Sequence, residues 1–283
     1  MRRRNTLLLG LIGAGIQESR TPAMHEREAE AHGIRCLYQL LDLDTIPGGE
    51  QSLPALLDGA EAVGFAGLNV THPCKQSVIA HVTELSASAR IIGAVNTIVF
   101  RDGKRLGHNT DWRAFRQSFV EGLPGARLDC VVQLGAGGAG AATAYAALSM
   151  GAGLLRVIDT IPERAQALCA RLDTEFPQRA TAAALHDAAL DGADGLIHAT
   201  PMGMAAHPGV ALPVSLLRPD LWVAEIVYVP VETPLLAAAR RNGCRTLDGT
   251  GMALWQAVEA FRLFTGLEAD AERMRQAFAR AGK

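Results

Sequence analysis

Charge is what this chain has least of. Only 20% of its 283 residues are charged and the formal net charge is -2. After Arg2, Arg3 and Arg4 no block of Lys or Arg recurs, and there is no acidic tail. Nucleic-acid surfaces need clustered basic residues, so no nucleic-acid partner is expected. No stretch approaches the roughly 20 apolar residues of a membrane span, so no membrane partner is expected either. The three arginines followed by the apolar run 7–16 imitate a secretory leader, but no A-x-A cleavage site directly follows the run. The five cysteines are scattered and lack C-x-x-C spacing. That excludes a disulfide framework and suits reduced thiols in a cytoplasmic protein. The eight histidines lack ligand spacing, so no metal is expected, and His25, His72, His108 and His198 read as structural or loop residues. Repeats of solenoid length and low-complexity segments are also absent.

What is present is length and apolar content. A hydrophobic fraction of 49% over this length supports two ordinary domains, each with a core. The most informative stretch is 130–160. An apolar strand, 131–134, stops at Gly135, Gly137 and Gly140, a G-x-G-x-x-G pattern that opens an Ala-rich helix. The first glycine permits a tight turn, the second lets backbone N–H groups approach a pyrophosphate, and the third lets helix and strand pack closely. The positive end of the helix then faces the phosphates. A second strand, 154–158, ends at Asp159, where a carboxylate accepts hydrogen bonds from an adenosine ribose and repels a 2′-phosphate. The expected cofactor is NAD, with NADP disfavoured; Arg164 is the one residue able to soften that preference.

Elsewhere helices and strands alternate, which implies an α/β fold with mostly parallel sheets. The first strand spans 6–12, a helix spans 22–32 with Pro22 in its first turn and Thr21 as N-cap, and strands follow at 38–43 and 62–70 around a helix at 53–61. Asn69, Thr71 and Lys75 lie at the carboxyl end of the last of these, the edge of an open α/β sheet where ligands bind. The segment 91–100 reads as an apolar strand or turn containing Asn96, whose amide must find partners. Asp111 stands in the N-cap place of a helix 112–121, the expected connector between domains. Helices are expected at 162–176 and about 184–190, and strands at 195–199 and 222–227. A small-residue loop holding Thr200, Pro201 and Met202 follows one, and Tyr228 the other. A helix at 234–242, a short strand near 245–247 and two closing helices complete the pattern; Met252 and Gln256 share one face of the first of these closing helices.

Six motifs then occur in one order: Ser19-Arg-Thr-Pro-Ala-Met-His25, Asn69-Val-Thr-His-Pro-Cys-Lys75, Gly93-Ala-Val-Asn-Thr97, His108-Asn-Thr-Asp111, Gly135-Ala-Gly-Gly-Ala-Gly140 and Asp248-Gly-Thr-Gly-Met-Ala-Leu-Trp-Gln256. Through them the chain resembles the shikimate/quinate dehydrogenase family over essentially its full length. The resemblance implies a substrate domain over 1–111, completed by 252–283, and a Rossmann-type dinucleotide domain over 112–251, with the site in the cleft. It implies that Ser19, Thr21 and Tyr228 hold the substrate carboxylate and that Asn69, Thr71, Asn96, Asp111 and Gln256 read ring hydroxyls. Lys75 and Asp111 form the implied catalytic pair, with Asp111 mainly orienting. The implied cofactor contacts are Gly135, Ala136, Gly137, Gly138, Ala139, Gly140, Asp159, Arg164, Thr200, Pro201, Met202, Val227, Gly249 and Met252. Two departures matter. Thr21 stands where most biosynthetic members have serine, and Asp159-Thr-Ile stands where they carry an Asn-Arg-Thr phosphate clamp. Both resemble the NAD-dependent quinate/shikimate branch, acting on a small-molecule substrate as a monomer or homodimer. The alternatives are an NADP-dependent biosynthetic enzyme, a relative acting on an amino-modified ring, and a non-catalytic NAD-binding sensor.

Overall fold

Residues 6–186 and 189–282 are described by a computed structural model. The chain forms two compact units: residues up to Thr110 together with those from Gln256 onward, and Asp111–Trp255.

In the first unit the strands are β1 (Thr6–Gly13), β2 (Arg35–Asp42), β3 (Gly67–Val70), β4 (Glu84–Leu85), β5 (Thr97–Arg101) and β6 (Lys104–His108), with helices α1 (Thr21–Ala31), α2 (Leu53–Ala62) and α3 (Ala87–Ile92). They form one sheet in the order β2-β1-β3-β5-β6-β4. β1 runs parallel to β2 and β3, whereas β5 is antiparallel to both β3 and β6. The side chains of β1 alternate between two cores, as a strand's period of two requires. Leu9 and Leu11 join Tyr38, Val99, Ala260 and Phe264, while Ile12 joins Leu57, Leu68, Val70 and Ile98. Both faces of the sheet are thus covered.

Three expectations change here. The helix begins at Thr21 with Arg20 as the N-cap, so Thr21 is not the cap; its hydroxyl instead accepts a hydrogen bond from Ser19 Oγ at 3.1 Å. The strand expected over 62–70 is only β3, because α2 runs through Ala62 and a turn around Gly64, at φ 89°, reverses the chain. The segment 91–100 divides into the end of α3, a left-handed Gly93 that stops it, and β5, leaving Asn96 immediately ahead of the strand. β5 and β6 form a hairpin through Asp102 and Gly103, both at positive φ, as a two-residue type I′ turn demands.

The second unit contains α4 (Asp111–Gly122), β7 (Cys130–Leu134), α5 (Gly138–Ser149), β8 (Leu154–Ile158), α6 (Pro162–Asp173), β9 (Ala180–Ala183), β10 (Gly195–His198), β11 (Trp222–Glu225), α7 (Pro234–Arg241) and β12 (Arg245–Leu247). Asp111 is the first residue of α4, not the residue ahead of it. The sheet is wholly parallel, in the doubly wound order β12-β11-β10-β7-β8-β9. β9 stands just before the segment expected as a helix over 184–190. Residues 184–186 are not helical and 189–190 form a turn. Asp187 and Ala188, like Arg2, Arg3 and Arg4, lie outside the described residues. The chain then passes along α8 (Thr250–Thr265) back into the first unit and ends in α9 (Ala271–Arg280). Arg273 on α9 reaches the buried Glu28 of α1 at 2.8 and 2.9 Å, which fixes this last helix in place. None of the described helices is long and apolar enough to cross a membrane.

His25 of α1 sits fully buried against the Tyr38 ring, with centroids 5.0 Å apart, and beside Phe261 and Phe264. Neither ring nitrogen has a hydrogen-bond partner among the described residues, and burial lowers its pKa from the usual 6.5 to about 3. The unfolded chain therefore takes up a proton below about pH 6.5 that the folded chain refuses until about pH 3. Its contribution is fully present above the unfolded value and is lost on acidification, at about 1.4 kcal/mol per pH unit. Replacing His25 by leucine should flatten the dependence of unfolding free energy on pH between 6 and 4 by one proton, measured by urea titrations across that range. An unchanged slope would mean that the folded protein accepts the proton.

Candidate active site

In the first unit the strand register brings the expected substrate residues to one edge of the sheet. Ile12 pairs with Val70, Asn69 with Thr97, and Thr97 with His108, so the loops after β1, β3 and β6 and the one before β5 emerge at the same level. The first two loops touch directly: the Ala14 N–H donates to the His72 carbonyl at 2.9 Å. A Cβ on Gly13 would fall 2.3 Å from the Thr71 methyl, so this close approach needs glycine. Ser19 is half-buried in the loop after β1, and Thr21 is buried beside it. Asp42, at the end of β2, holds that loop, accepting from the Gly15 N–H at 3.0 Å, the Ile16 N–H at 3.3 Å and Gln17 Nε2 at 2.8 Å. Burial pushes the Asp42 carboxyl up, but these hydrogen bonds and one from the Asp44 N–H outweigh it, leaving the pKa below the usual carboxylate value.

Thr71 and Lys75 are half-buried on the turn after β3, with the Lys75 carbonyl accepting from the Val95 N–H at 2.7 Å. Asn69 and Asn96 are buried and tied to their neighbours. Tyr38 OH donates to Asn69 Oδ1 at 2.8 Å, and Asn69 Nδ2 donates to Thr97 Oγ1 at 3.1 Å. Asn96 Nδ2 donates to Thr110 Oγ1 at 2.9 Å, and its Oδ1 accepts from the Thr110 N–H at 2.8 Å. Thr110 Oγ1 in turn donates to the Gln256 carbonyl at 3.2 Å, which joins α8 to this edge. Asp111, the next residue, opens α4 in the second unit. Tyr228 belongs to the second unit and is exposed on the loop after β11.

The second unit repeats the arrangement. Leu134, Ile158, His198 and Glu225 are paired at one level, so Gly135, Asp159, Thr200 and Val227 all leave the sheet along its carboxyl edge. Gly135 adopts φ 98°, and a Cβ on Gly140 would fall 2.3 Å from the Gly135 carbonyl oxygen, so those two glycines are required by the turn itself. A Cβ on Gly137 would meet nothing within 4 Å. That glycine, exposed at the start of α5 and without a capping side chain, leaves open space in front of the helix N-terminus, as an approaching pyrophosphate requires. Asp159 accepts from the Ala136 N–H at 2.7 Å through Oδ2 and from the Ile161 N–H at 2.9 Å through Oδ1. A dinucleotide therefore fits the residues present. Ala136, Gly138 and Ala139 complete the loop; Arg164 is exposed on the first turn of α6. Pro201 is exposed and Met202 half-buried in the loop after β10, and Met252 is buried on α8. Gly249 lies so close to the Ile226 and Val227 carbonyls that a Cβ there would fall 2.4 and 2.7 Å from them. Among the described residues no three His, Cys, Asp or Glu side chains gather as a metal site would need.

Known proteins agree with both halves. Residues 11–98 match the shikimate dehydrogenase substrate binding domain, and residues 249–277 match the shikimate 5′-dehydrogenase C-terminal domain. A shikimate dehydrogenase (NADP+) of Streptomyces avermitilis is 56% identical, covering 95% of this chain and 94% of its own. The chain belongs to the shikimate/quinate dehydrogenase family. A quinate/shikimate dehydrogenase (NAD+) of Corynebacterium efficiens is 50% identical over 97% of this chain and 98% of its own. The solved structure of quinate dehydrogenase from Corynebacterium glutamicum in complex with NAD superposes with a TM-score of 0.90 at 49% identity, covering 97% and 99% of the two chains. As a shikimate/quinate dehydrogenase the protein is an oxidoreductase with a nicotinamide cofactor and a small-molecule substrate, built from an N-terminal substrate domain and a Rossmann-type domain.

Sequence reasoning overlooked residues that hold the site from behind. Gln133 is fully buried in β7, its Nε2 donating to the Gly135 carbonyl at 2.9 Å and the Gly140 carbonyl at 2.8 Å, while Oε1 accepts from Thr143 at 2.9 Å. One amide thus fixes both ends of the glycine turn. The signal was a lone polar residue inside the apolar run C-V-V-Q-L. Asp42 left a weaker signal, an acid closing the apolar strand Y-Q-L-L-D.

Proposed function

We propose that this protein is an NAD-dependent quinate/shikimate dehydrogenase that reversibly oxidises a ring secondary alcohol of its substrate to the ketone. The observation that carries the cofactor choice is Asp159, whose carboxylate stands at the end of β8 beside the glycine loop. Its negative charge opposes a 2′-phosphate, and Thr160 brings no cation to offset it. When bound, the nicotinamide supplies the hydride acceptor. The chain's own residues handle the proton. Lys75 takes it from the substrate hydroxyl during oxidation and returns it during reduction, with Asp111 orienting the ammonium. Ser19, Thr21 and Tyr228 hold the substrate carboxylate. Thr71 and Gln256 read ring hydroxyls, joined by Asn69 and Asn96 from positions their neighbours already fix.

A second reading, use of NADP, has support in the name of the Streptomyces avermitilis relative and in the exposed Arg164. The test is reduced-cofactor formation by purified protein with quinate and with shikimate, each with NAD and NADP. Activity with NAD on either acid and kcat/KM at least about tenfold lower with NADP is the expected result. Equal values would overturn the cofactor assignment, and silence in all four mixtures from folded protein would overturn the substrate class.

A further inference from the structure

Beneath the loop 200–202 lies a buried polar chain that the reaction above does not use. His198, at the end of β10, and Glu225, at the end of β11, are each about 1% exposed and are paired in register. His198 Nδ1 lies 2.9 and 2.8 Å from the two Glu225 oxygens, and His198 Nε2 lies 2.6 Å from Thr200 Oγ1. Glu225 also accepts from the Val227 N–H at 3.0 Å and from Thr233 Oγ1 at 3.0 Å, and Thr233 caps α7 by accepting the Leu236 N–H. In the neutral imidazole whose Nδ1–H donates to Glu225, Nε2 is the acceptor for the Thr200 hydroxyl. Thr200 Oγ1 then accepts the Met202 N–H at 3.3 Å. Every donor in the chain from Met202 to Glu225 therefore points the same way.

We infer that His198 and Glu225 are positioning residues that fix the loop 200–202 against the dinucleotide. The inference rests on the reading that this loop meets the cofactor. The Thr200 side chain has two staggered alternatives to the observed one. Only the Nε2 acceptor holds its hydroxyl so that the oxygen can also receive the Met202 N–H and close the turn. Glu225 holds the imidazole in that orientation, as a carboxylate behind a histidine commonly does. The His198–Glu225 end of the arrangement is buried and hydrogen-bonded, which is the condition under which a polar network rigidifies rather than weakens a fold.

The two ends of the imidazole can be tested separately. Asparagine at 198 places an amide near the Nδ1 position, keeping a donor for Glu225 but losing the acceptor for Thr200. Glutamine reaches the Nε2 position, keeping the acceptor but losing the donor. Expected for His198→Asn is a rise of about tenfold in the KM for the dinucleotide, with the KM for the acid substrate little changed and thermal stability largely kept. His198→Gln should show the opposite, a lowered Tm with the dinucleotide KM within about threefold of the parent. Thr200→Val should reproduce the His198→Asn effect, and the double variant should be no worse than either single one. Assays use whichever dinucleotide the protein turns over, so a cofactor preference other than NAD leaves the test intact. If Thr200→Val leaves the dinucleotide KM unchanged, the loop does not meet the cofactor. If Thr200→Val raises it while His198→Asn does not, His198 has no positioning role and the inference falls.

Discussion

Replacing Lys75 by alanine lowers turnover by at least about a hundredfold, the low end for a general acid/base group, with much smaller changes in the KM for either substrate. Loss of hydride from carbon requires loss of the hydroxyl proton, and Lys75 is the proposed acceptor. The surrounding backbone is held through its main chain: the Lys75 carbonyl accepts from the Val95 N–H, and the neighbouring Cys74 is fully buried. An unaltered Tm is therefore expected together with the loss of rate. Lys75→Arg separates charge from proton transfer, because a guanidinium keeps the positive charge but does not give up a proton near neutral pH. It should be nearly as inactive as Lys75→Ala. If Lys75→Ala turns over within tenfold of the parent, another group carries the proton.

Asp159→Ser should raise the ratio of kcat/KM for NADP over NAD by at least about a hundredfold, equivalent to about 2.7 kcal/mol. Two unit charges 4 Å apart near a protein surface repel by about 4 kcal/mol, so relief of that repulsion suffices. Adding Thr160→Arg should move the ratio further by supplying a cation for the phosphate. The same carboxylate holds the Ala136 N–H, so Asp159→Ser is also expected to lower kcat/KM with NAD itself. Steady-state kinetics with both cofactors on both variants checks each part. A ratio that stays put would remove Asp159 as the discriminator and leave Arg164 to be examined.

The elements legible in the sequence were those whose residues have steric reasons to be there. Gly135 and Gly140 are fixed by backbone oxygens that exclude any Cβ, and the strand 154–158 appears with those limits because its apolar run is bounded by Gly153 and Asp159. The wholly parallel second sheet followed from alternation of strand and helix. What was missed had competing signals. β9 is Ala-Thr-Ala-Ala, whose composition favours helix and which becomes a strand only by pairing with β8. The β5–β6 hairpin carried an Asp-Gly turn that was overlooked, because the apolar residues from Ile91 onward read as one segment and hid the glycine stop at Gly93. The residue type of Thr21 suits a helix cap, whereas Arg20 ahead of it already has helical backbone angles. At the site, motif residues could be placed along the chain, but two braces behind them, Asp42 and the His198–Glu225 pair, act across strands and needed the register to be seen, while Gln133 acts on its own turn and helix.

The brace beneath the glycine loop has one more consequence. Gln133 is a neutral amide, and it holds Gly135, Gly140 and Thr143 without any ionic partner. Exposed charge pairs weaken as ionic strength rises, whereas a buried neutral hydrogen bond is hardly screened. The ends of the turn that Gln133 holds thus keep their shape in concentrated salt, and within the loop salt reaches only the charged hold of Asp159 on the Ala136 N–H.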